Sequence, residues 1–193
     1  YITCSWDSAL IRYFSLIGNN DPLVFYLGKA DRKPHYEFEK DEFFTLMEFK
    51  ERVPSLGDNG FFIRRETLNK ADLDHYYPMD CMTDLVKVGK RTFLRMNGGS
   101  IWHRTTNGNL IEFLTKRYKY ARDLYCDRND RRWKILDTRE DYMRLGFFIL
   151  ATLTVIQPVM VSIMGFRHIR DWAWFWHIGV CWGFLITYGV LAL

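Results

Sequence analysis

Charged residues are nearly absent from the C-terminal part of this 193-residue chain. Residues 145–166 contain none and residues 172–193 contain none, and the stretch between them contributes Arg167, Arg170 and Asp171. Each uncharged run is longer than the roughly 18 residues that indicate a membrane-spanning helix. The tail therefore argues against a wholly soluble globule and predicts two transmembrane helices that form a hairpin.

Cysteine motifs are missing as well. The four cysteines, Cys4, Cys81, Cys126 and Cys181, are scattered, and no two of them have C-x-x-C spacing. This pattern gives no indication of a zinc site or a disulfide framework and is typical of a reducing compartment. The net charge of +4 is too small to indicate a nucleic-acid partner by itself.

Aromatic residues, in contrast, make up 17% of the chain, which is too many for a disordered segment. We expect a folded domain over residues 1–126, a basic juxtamembrane segment over residues 127–144 and the membrane hairpin over residues 145–193. The basic residues of the middle segment are Arg128, Arg131, Arg132, Lys134, Arg139 and Arg144. Because cytoplasmic flanks of membrane spans are enriched in Lys and Arg, the large domain is placed in the cytoplasm and residues 167–171 outside. Pro158 predicts a kink in the first span.

Several segments have local signals for helices or strands. Apolar spacing predicts a helix that ends at Ile17, starts at a cap formed by Asp7 or Ser8, and is broken by Gly18. Asn109 is expected to cap an amphipathic helix that reaches Tyr125. That helix either lies in the lipid headgroup layer or packs on its own domain. Residues 61–63 and 92–96 predict strands, residues 28–40 predict a loop, and the type of residues 41–52 stays open.

Two carboxylates lie four residues apart in a predicted short helix that ends near Gly89. Asp80 and Asp84 therefore share one face of that helix. One interpretation is a helix cap plus a solvated charge. The other is a general base that faces a cleft, oriented by the second carboxylate.

Three further motifs are weak when each is taken alone. Gly57, Asp58, Asn59 and Gly60 form a turn-rich loop whose glycines let the backbone approach a ligand closely. His103 ends a predicted strand, and a single His is more often structural than metal-binding. Asp72-Leu73-Asp74 matches the string D-x-D and is interpreted as a surface pair.

In their order along the chain, these features resemble family 2 glycosyltransferases. The Gly57–Gly60 loop before Arg64-Arg65-Glu66 is similar to that family's G-x-N-G acceptor loop. Residues 80–85 resemble the acidic helix that supplies the base, although no Glu-Asp pair is present. Residues 100–103 resemble a strand ending in His, and residues 114–118 lie where the family has Q-x-x-R-W, here with Arg117-Tyr118.

The resemblance implies a partial GT-A-like α/β glycosyltransferase domain followed by two transmembrane helices. The sequence begins with Tyr1 rather than with Met, and it contains no nucleotide-binding donor half. It ends inside an apolar run. We therefore expect the natural polypeptide to extend at both ends. The implied enzyme is membrane-bound and inverting. It transfers a sugar from a nucleotide-sugar donor to a lipid-linked or polysaccharide acceptor at the cytoplasmic membrane, with the catalytic domain in the cytoplasm.

The resemblance also implies a role for each site residue. The general base is Asp80 or Asp84. The acceptor side is shaped by Gly57, Asp58, Asn59 and Gly60. The donor diphosphate is contacted by Arg117, and a divalent cation, Mg2+ or Mn2+, is held partly by His103.

Two other function classes stay open. A non-catalytic membrane-anchored interaction domain would use the carboxylates only as structural groups. A module that binds RNA or lipid headgroups would use the basic stretch of residues 116–134 with its interleaved aromatic residues. The glycosyltransferase hypothesis itself includes no nucleic-acid partner.

Overall fold

A computed structural model describes residues 7–29, 36–49, 53, 62–73, 77–96 and 109–192. The helices are α1 (Ala9–Ile17), α2 (Pro22–Tyr26), α3 (Arg65–Leu68), α4 (Pro78–Lys87), α5 (Leu110–Cys126), α6 (Arg139–Thr154), α7 (Ile156–His168) and α8 (Trp176–Ala192). A 3-10 turn, Trp172–Phe175, leads into α8. The strands β1 (Tyr36–Lys40), β2 (Phe44–Phe49) and β3 (Thr92–Met96) form one antiparallel sheet in the order β1-β2-β3.

The helix caps expected from the sequence are confirmed. Ser8 caps α1 by accepting a hydrogen bond from the backbone N of Ile11, and Gly18 ends the helix at a φ of 72°. Asn109 caps α5 by accepting from the backbone N of Ile111 at 2.9 Å. These groups satisfy backbone donors and acceptors that a helix end otherwise leaves unpaired.

The sheet differs in part from the sequence-based expectation. β3 is confirmed over residues 92–96, and the open segment 41–52 contains β2. The loop predicted for residues 28–40 is wrong at its end, where β1 pairs with β2 from Tyr36 opposite Phe49. Phe62 and Ile63, predicted as strand, lie outside the sheet.

The fold class is still a prediction for the chain as a whole. Helices predominate in the described ranges, and every strand pair within them is antiparallel. A GT-A-like domain is built on parallel βαβ units, and the described residues contain none. We therefore retain the α/β fold only as an expectation.

Buried side chains form two separate cores. The helical core takes residues from both ends of the chain, so α1 and α2 of the predicted N-terminal domain pack with the predicted membrane tail. Its most buried members include Leu10, Tyr13, Leu27, Phe148, Val180 and Phe184. The sheet core lies under α4 and includes Met47, Val53, Cys81, Met82, Leu85 and Val86.

The first apolar run of the tail is bent rather than straight. α6 and α7 meet at 87°, and Val155 between them has a φ of 61°, a left-handed conformation that a β-branched residue rarely adopts. Pro158 explains the break, because its ring lacks an N–H and would clash with the carbonyl of Thr154 four residues earlier. The kink predicted from Pro158 is thus confirmed as a full break.

Among the described residues, composition and length leave one unbroken candidate for a membrane span. The helix over Trp172–Leu191 is long and apolar enough to cross a bilayer, and α6 with α7 would be a second span only if the bent pair counts as one. The two transmembrane helices expected from the sequence therefore stay a prediction, because the described residues hold one candidate span, or two if the bent pair counts as one.

Close packing at Gly165 yields a testable prediction. A Cβ atom at Gly165 in α7 would overlap the indole ring of Trp174, whereas a Cβ at Gly146 in α6 would meet nothing within 4 Å. We expect Gly165→Ala to lower the free energy of unfolding by about 1–3 kcal/mol through overpacking. Gly146→Ala, the matched control, should raise it by up to about 1 kcal/mol because Ala favours the helix. Thermal unfolding in detergent micelles measures both, and equal effects would show that Trp174 does not pack on α7 in this way.

Candidate functional site

Helix α4 holds the two candidate carboxylates. Pro78 occupies its first turn, and Gly89, with a φ of 79°, follows its end. The apolar residues of α4 enter the sheet core: Cys81, Met82, Leu85 and Val86. Asp80 and Asp84 project instead toward residues 131 and 132, which lie between α5 and α6.

Asp80 is fully buried and has two strong partners. Its Oδ2 lies 2.9 Å from Nε of Arg131, and its Oδ1 accepts a hydrogen bond of 2.7 Å from the backbone N of Trp133. The Arg131 guanidinium also lies over the ring of Tyr77, at 3.9 Å from the ring centroid. A buried carboxylate needs such compensation, because transfer of a charge out of water is costly.

Asp84 lies closer to solvent, with 13% of its side chain exposed. Its Oδ2 is 2.9 Å from Nε of Arg132 and accepts a hydrogen bond of 3.2 Å from the backbone N of Asp72. Arg132 also pairs with the Asp72 carboxylate at 3.3 Å. Nε of Arg132 is not aligned for a hydrogen bond, so its contact with Asp84 is an ion pair alone. Asp84 and Arg132 thus form the solvent-accessible rim of the cluster.

Residues 131–134, called here the bridging segment, join the two cores. Trp133 packs against the sheet core, and its indole N–H donates to the carbonyl of Val53 at 3.0 Å. At the other end, the carbonyl of Lys134 accepts from the ammonium of Lys29 at 3.1 Å. Lys29 also lies 5.7 Å from the centroid of the Trp133 ring. The carboxylates of α4 are therefore held in place relative to the helical core.

Lys29 and Asp141 form a buried ion pair at the start of α6. Their side chains are 6% and 1% exposed, and Nζ lies 3.1 Å from Oδ2. The ammonium also donates to the carbonyl of Ile135 at 2.7 Å. Burial disfavours ionisation of Asp141, but the backbone N–H groups of Thr138 and Asp137 and the Lys29 ammonium outweigh it, and the pKa of Asp141 is lowered.

A second buried polar cluster lies within the helical core, around His177 of α8. The hydroxyl of Tyr13 lies 2.7 Å from Nδ1 of His177, and the hydroxyl of Tyr26 lies 3.2 Å from Nε2. Tyr26 donates its own proton to the side chain of Gln157. Its oxygen is then free to accept from Nε2 in the tautomer that carries the ring proton there, and in that tautomer Nδ1 accepts from Tyr13.

Arg117, the predicted diphosphate ligand, lies beside this helical cluster. It is on α5, with its guanidinium 5.2 Å from the centroid of the Phe113 ring. It is also near Asp21, which accepts a hydrogen bond from Tyr188. Burial raises the pKa of Asp21, although the Tyr188 hydroxyl and the Arg117 charge oppose this shift. The guanidinium groups that contact Asp80 and Asp84 belong instead to Arg131 and Arg132.

The other predicted site residues lie outside the described ranges. These are Gly57, Asp58, Asn59, Gly60 and His103, so their roles stay predictions. Within the part of the chain that the structure describes, no three His, Cys, Asp or Glu side chains group as a cation site. The Mg2+ or Mn2+ ion implied by the resemblance therefore has no described ligand set.

Sequence reasoning missed Arg131, Arg132 and Trp133 as members of the site. From the sequence, the two arginines were expected in the basic juxtamembrane segment and in the basic stretch of residues 116–134, and not beside Asp80 and Asp84. Their adjacency to a Trp, in a segment rich in turn-forming Asp and Asn, was the available signal. The sequence gives no local indication that opposite charges 48 and 51 positions apart pair, and only the folded chain brings them together.

Comparison with protein-family models, with curated proteins and with solved structures gives no match for this chain. The assignment of a function therefore depends on the geometry described above and on the order of the sequence motifs.

Proposed function

We propose that this chain is the acceptor-side part of a membrane-bound inverting glycosyltransferase. The observation that carries the proposal is the cluster on α4, where a partly exposed Asp84 stands beside a fully buried Asp80 and two arginines. The sequence did not decide which of the two carboxylates is the base, and this arrangement supports a different role for each. Asp84 is the general base, and Asp80 is a positioning residue that fixes the bridging segment.

In the proposed reaction, Asp84 removes the proton from the acceptor hydroxyl. As the acceptor hydroxyl attacks the anomeric carbon of the donor sugar, its proton passes to the Asp84 carboxylate. The bond between the anomeric carbon and the diphosphate oxygen breaks on the opposite side, which gives inversion. The divalent cation implied by the resemblance would neutralise the leaving diphosphate. Donor and acceptor are a nucleotide sugar and a lipid-linked or saccharide hydroxyl.

A transfer assay with two matched variants tests the base assignment. We expect Asp84→Asn to slow sugar transfer by about 100-fold or more, because it removes the proton acceptor. Asp72→Asn is the control, since Asp72 contacts the same Arg132 but is half-exposed, and its rate should stay within a few-fold of the original. Transfer is measured in membranes that contain the longest natural polypeptide with these residues, from a panel of radiolabelled nucleotide sugars.

Two outcomes would overturn parts of this proposal separately. If Asp84→Asn retains transfer while a folded Asp80→Asn variant loses it, Asp80 is the base. If no nucleotide sugar is bound or consumed, the glycosyltransferase function itself is wrong.

A second candidate function is a non-catalytic membrane-anchored interaction domain. It is favoured by the fact that both α4 carboxylates already have cationic partners, as purely structural groups would. Isothermal titration calorimetry with nucleoside diphosphates separates the two candidates. An interaction domain should bind none of them.

A further inference from the structure

The bent pair α6–α7 has large apolar side chains that stay exposed in the part of the chain that the structure describes. They include Phe147, Leu150, Leu153, Ile156, Met160 and Met164. Monomeric soluble proteins rarely expose so many contiguous apolar groups, and such patches mark contacts with a partner or a membrane. The surface includes the bend itself, where Leu153 and Ile156 are exposed on either side of Val155.

Neither helix of the pair is long enough to cross a bilayer alone. α6 has 16 residues and α7 has 13, which correspond to about 24 and 20 Å, against a hydrocarbon core of about 30 Å. With each leg inclined at about 45°, the bend would reach roughly 14–17 Å from the two ends. That depth corresponds to one leaflet.

Both ends of the bent pair form ion pairs with the α1–α2 region of the protein. At the start of α6, Asp141 pairs with Lys29, just after α2. Beyond the end of α7, Asp171 accepts two hydrogen bonds from the guanidinium of Arg12 in α1, at 2.9 and 3.2 Å. Two attachments of this kind place the ends of α6–α7 on one side of the bend.

The α1–α2 region, which contacts both ends of the bent pair, is compact. α1 and α2 have nine and five residues, or about 14 and 8 Å of helix. Tyr13 of α1 and Tyr26 of α2 contact the two nitrogens of one imidazole ring, that of His177. A unit of this size cannot hold Asp141 and Asp171 on opposite faces of a hydrocarbon core about 30 Å thick.

We propose that α6–α7 is a re-entrant wedge, which enters one leaflet of an anionic membrane and returns to the side from which it came. The exposed basic residues at its two ends favour an anionic lipid partner: Arg139 in the first turn of α6, Arg167 and His168 in the last turn of α7, and Arg170 just after α7. Trp172, also exposed, lies where aromatic side chains favour the headgroup layer. Residues 167–171 therefore lie on the same side as the α4 cluster, in contrast to the hairpin expected from the sequence. This inference rests on the membrane attachment in the proposed function but not on sugar transfer.

Cysteine labelling in sealed vesicles tests the topology. In the full chain, Cys4 and Cys126 are replaced by Ser, and the buried Cys81 and Cys181 are retained. Arg170→Cys reports the stretch after α7, and Asn129→Cys, in the exposed turn after α5, reports the side of the α4 cluster. We expect a membrane-impermeant maleimide to label both variants in vesicles of one orientation and neither in the other. Labelling of the two variants in opposite orientations would overturn the wedge.

Flotation with vesicles of phosphatidylcholine and phosphatidylglycerol tests the surface itself. Leu153→Lys, at the bend and 54% exposed, should weaken partitioning about tenfold or more. Leu124→Lys on α5, 41% exposed, is the matched control and should change it less than twofold. Equal effects of the two variants would overturn the proposal. So would a vesicle-independent dimer that Leu153→Lys dissociates, because a second copy would then cover the surface. If the chain stays soluble and does not bind vesicles, membrane attachment is refuted. The transfer assay then still tests, independently, whether the protein is a glycosyltransferase.

Discussion

Asp80→Asn is expected to lower the free energy of unfolding by about 3–5 kcal/mol. The substitution leaves the Arg131 guanidinium, whose side chain is 10% exposed, beside a neutral amide. An unpaired buried charge is far more costly than a missing pair, because its desolvation is no longer offset. Urea unfolding in mild detergent, followed by tryptophan fluorescence, measures the effect.

Two variants show whether the loss comes from the buried charge. Asp72→Asn removes a carboxylate that is half-exposed and should cost less than about 1 kcal/mol. Asp80→Asn combined with Arg131→Met removes both charges and should recover part of the loss. A cost for Asp80→Asn as small as that of Asp72→Asn would contradict the burial of the Asp80–Arg131 pair.

Lys29→Met should be destabilising to a similar extent, about 3–5 kcal/mol. The Lys29 ammonium satisfies three acceptors, the carbonyls of Lys134 and Ile135 and the carboxylate of Asp141. Met keeps the length of the side chain but cannot donate, so all three lose a partner. Chemical unfolding measures the cost. A loss below about 1 kcal/mol would show that water reaches these groups.

The same ion pair predicts how stability depends on pH. The pKa of Asp141 is lower in the folded chain than the usual value of about 3.9. Its contribution to stability is therefore complete above that value and declines as the pH falls through the lower, folded-state pKa. Because Lys29 is one cause of the lowered pKa, the decline of unfolding free energy with acid should be shallower in Lys29→Met. An unchanged slope would assign the lowered pKa to the backbone donors of Asp137 and Thr138 alone.

Local features of this fold follow from the sequence, whereas its long-range pairings do not. The caps Ser8 and Asn109 and the strand at residues 92–96 depend on neighbouring residues, and they were predicted correctly. β1 was missed because it depends on a partner strand, although the alternation Tyr36-Glu37-Phe38-Glu39 was a period-two signal.

The candidate site shows the same limit. The shared face of Asp80 and Asp84 could be read from their spacing, but their partners come from residues 131 and 132 after a separate helix. Likewise, absence of charge predicted an apolar tail, yet it could not reveal that Asp171 pairs with Arg12 of α1 and that Asp141 pairs with Lys29, just after α2. A count of charges describes the composition of a segment. The membrane topology depends on which distant groups pair, and composition does not show this.

The short stretch of chain between the α4 cluster and the wedge limits how far the proposed active site can lie from the membrane. Only seven peptide steps separate Arg132, in the α4 cluster, from Arg139, the first residue of the wedge. Even fully extended, that length of chain spans no more than about 25 Å. With the wedge in the membrane as proposed, the chain from Arg132 to Arg139 keeps Arg132 within about that distance of the lipid surface, and Asp84 is held beside Arg132 by their ion pair. An acceptor anchored by its own lipid tail would then meet the carboxylate without leaving the bilayer, and a longer segment would lift the chemistry out of its range.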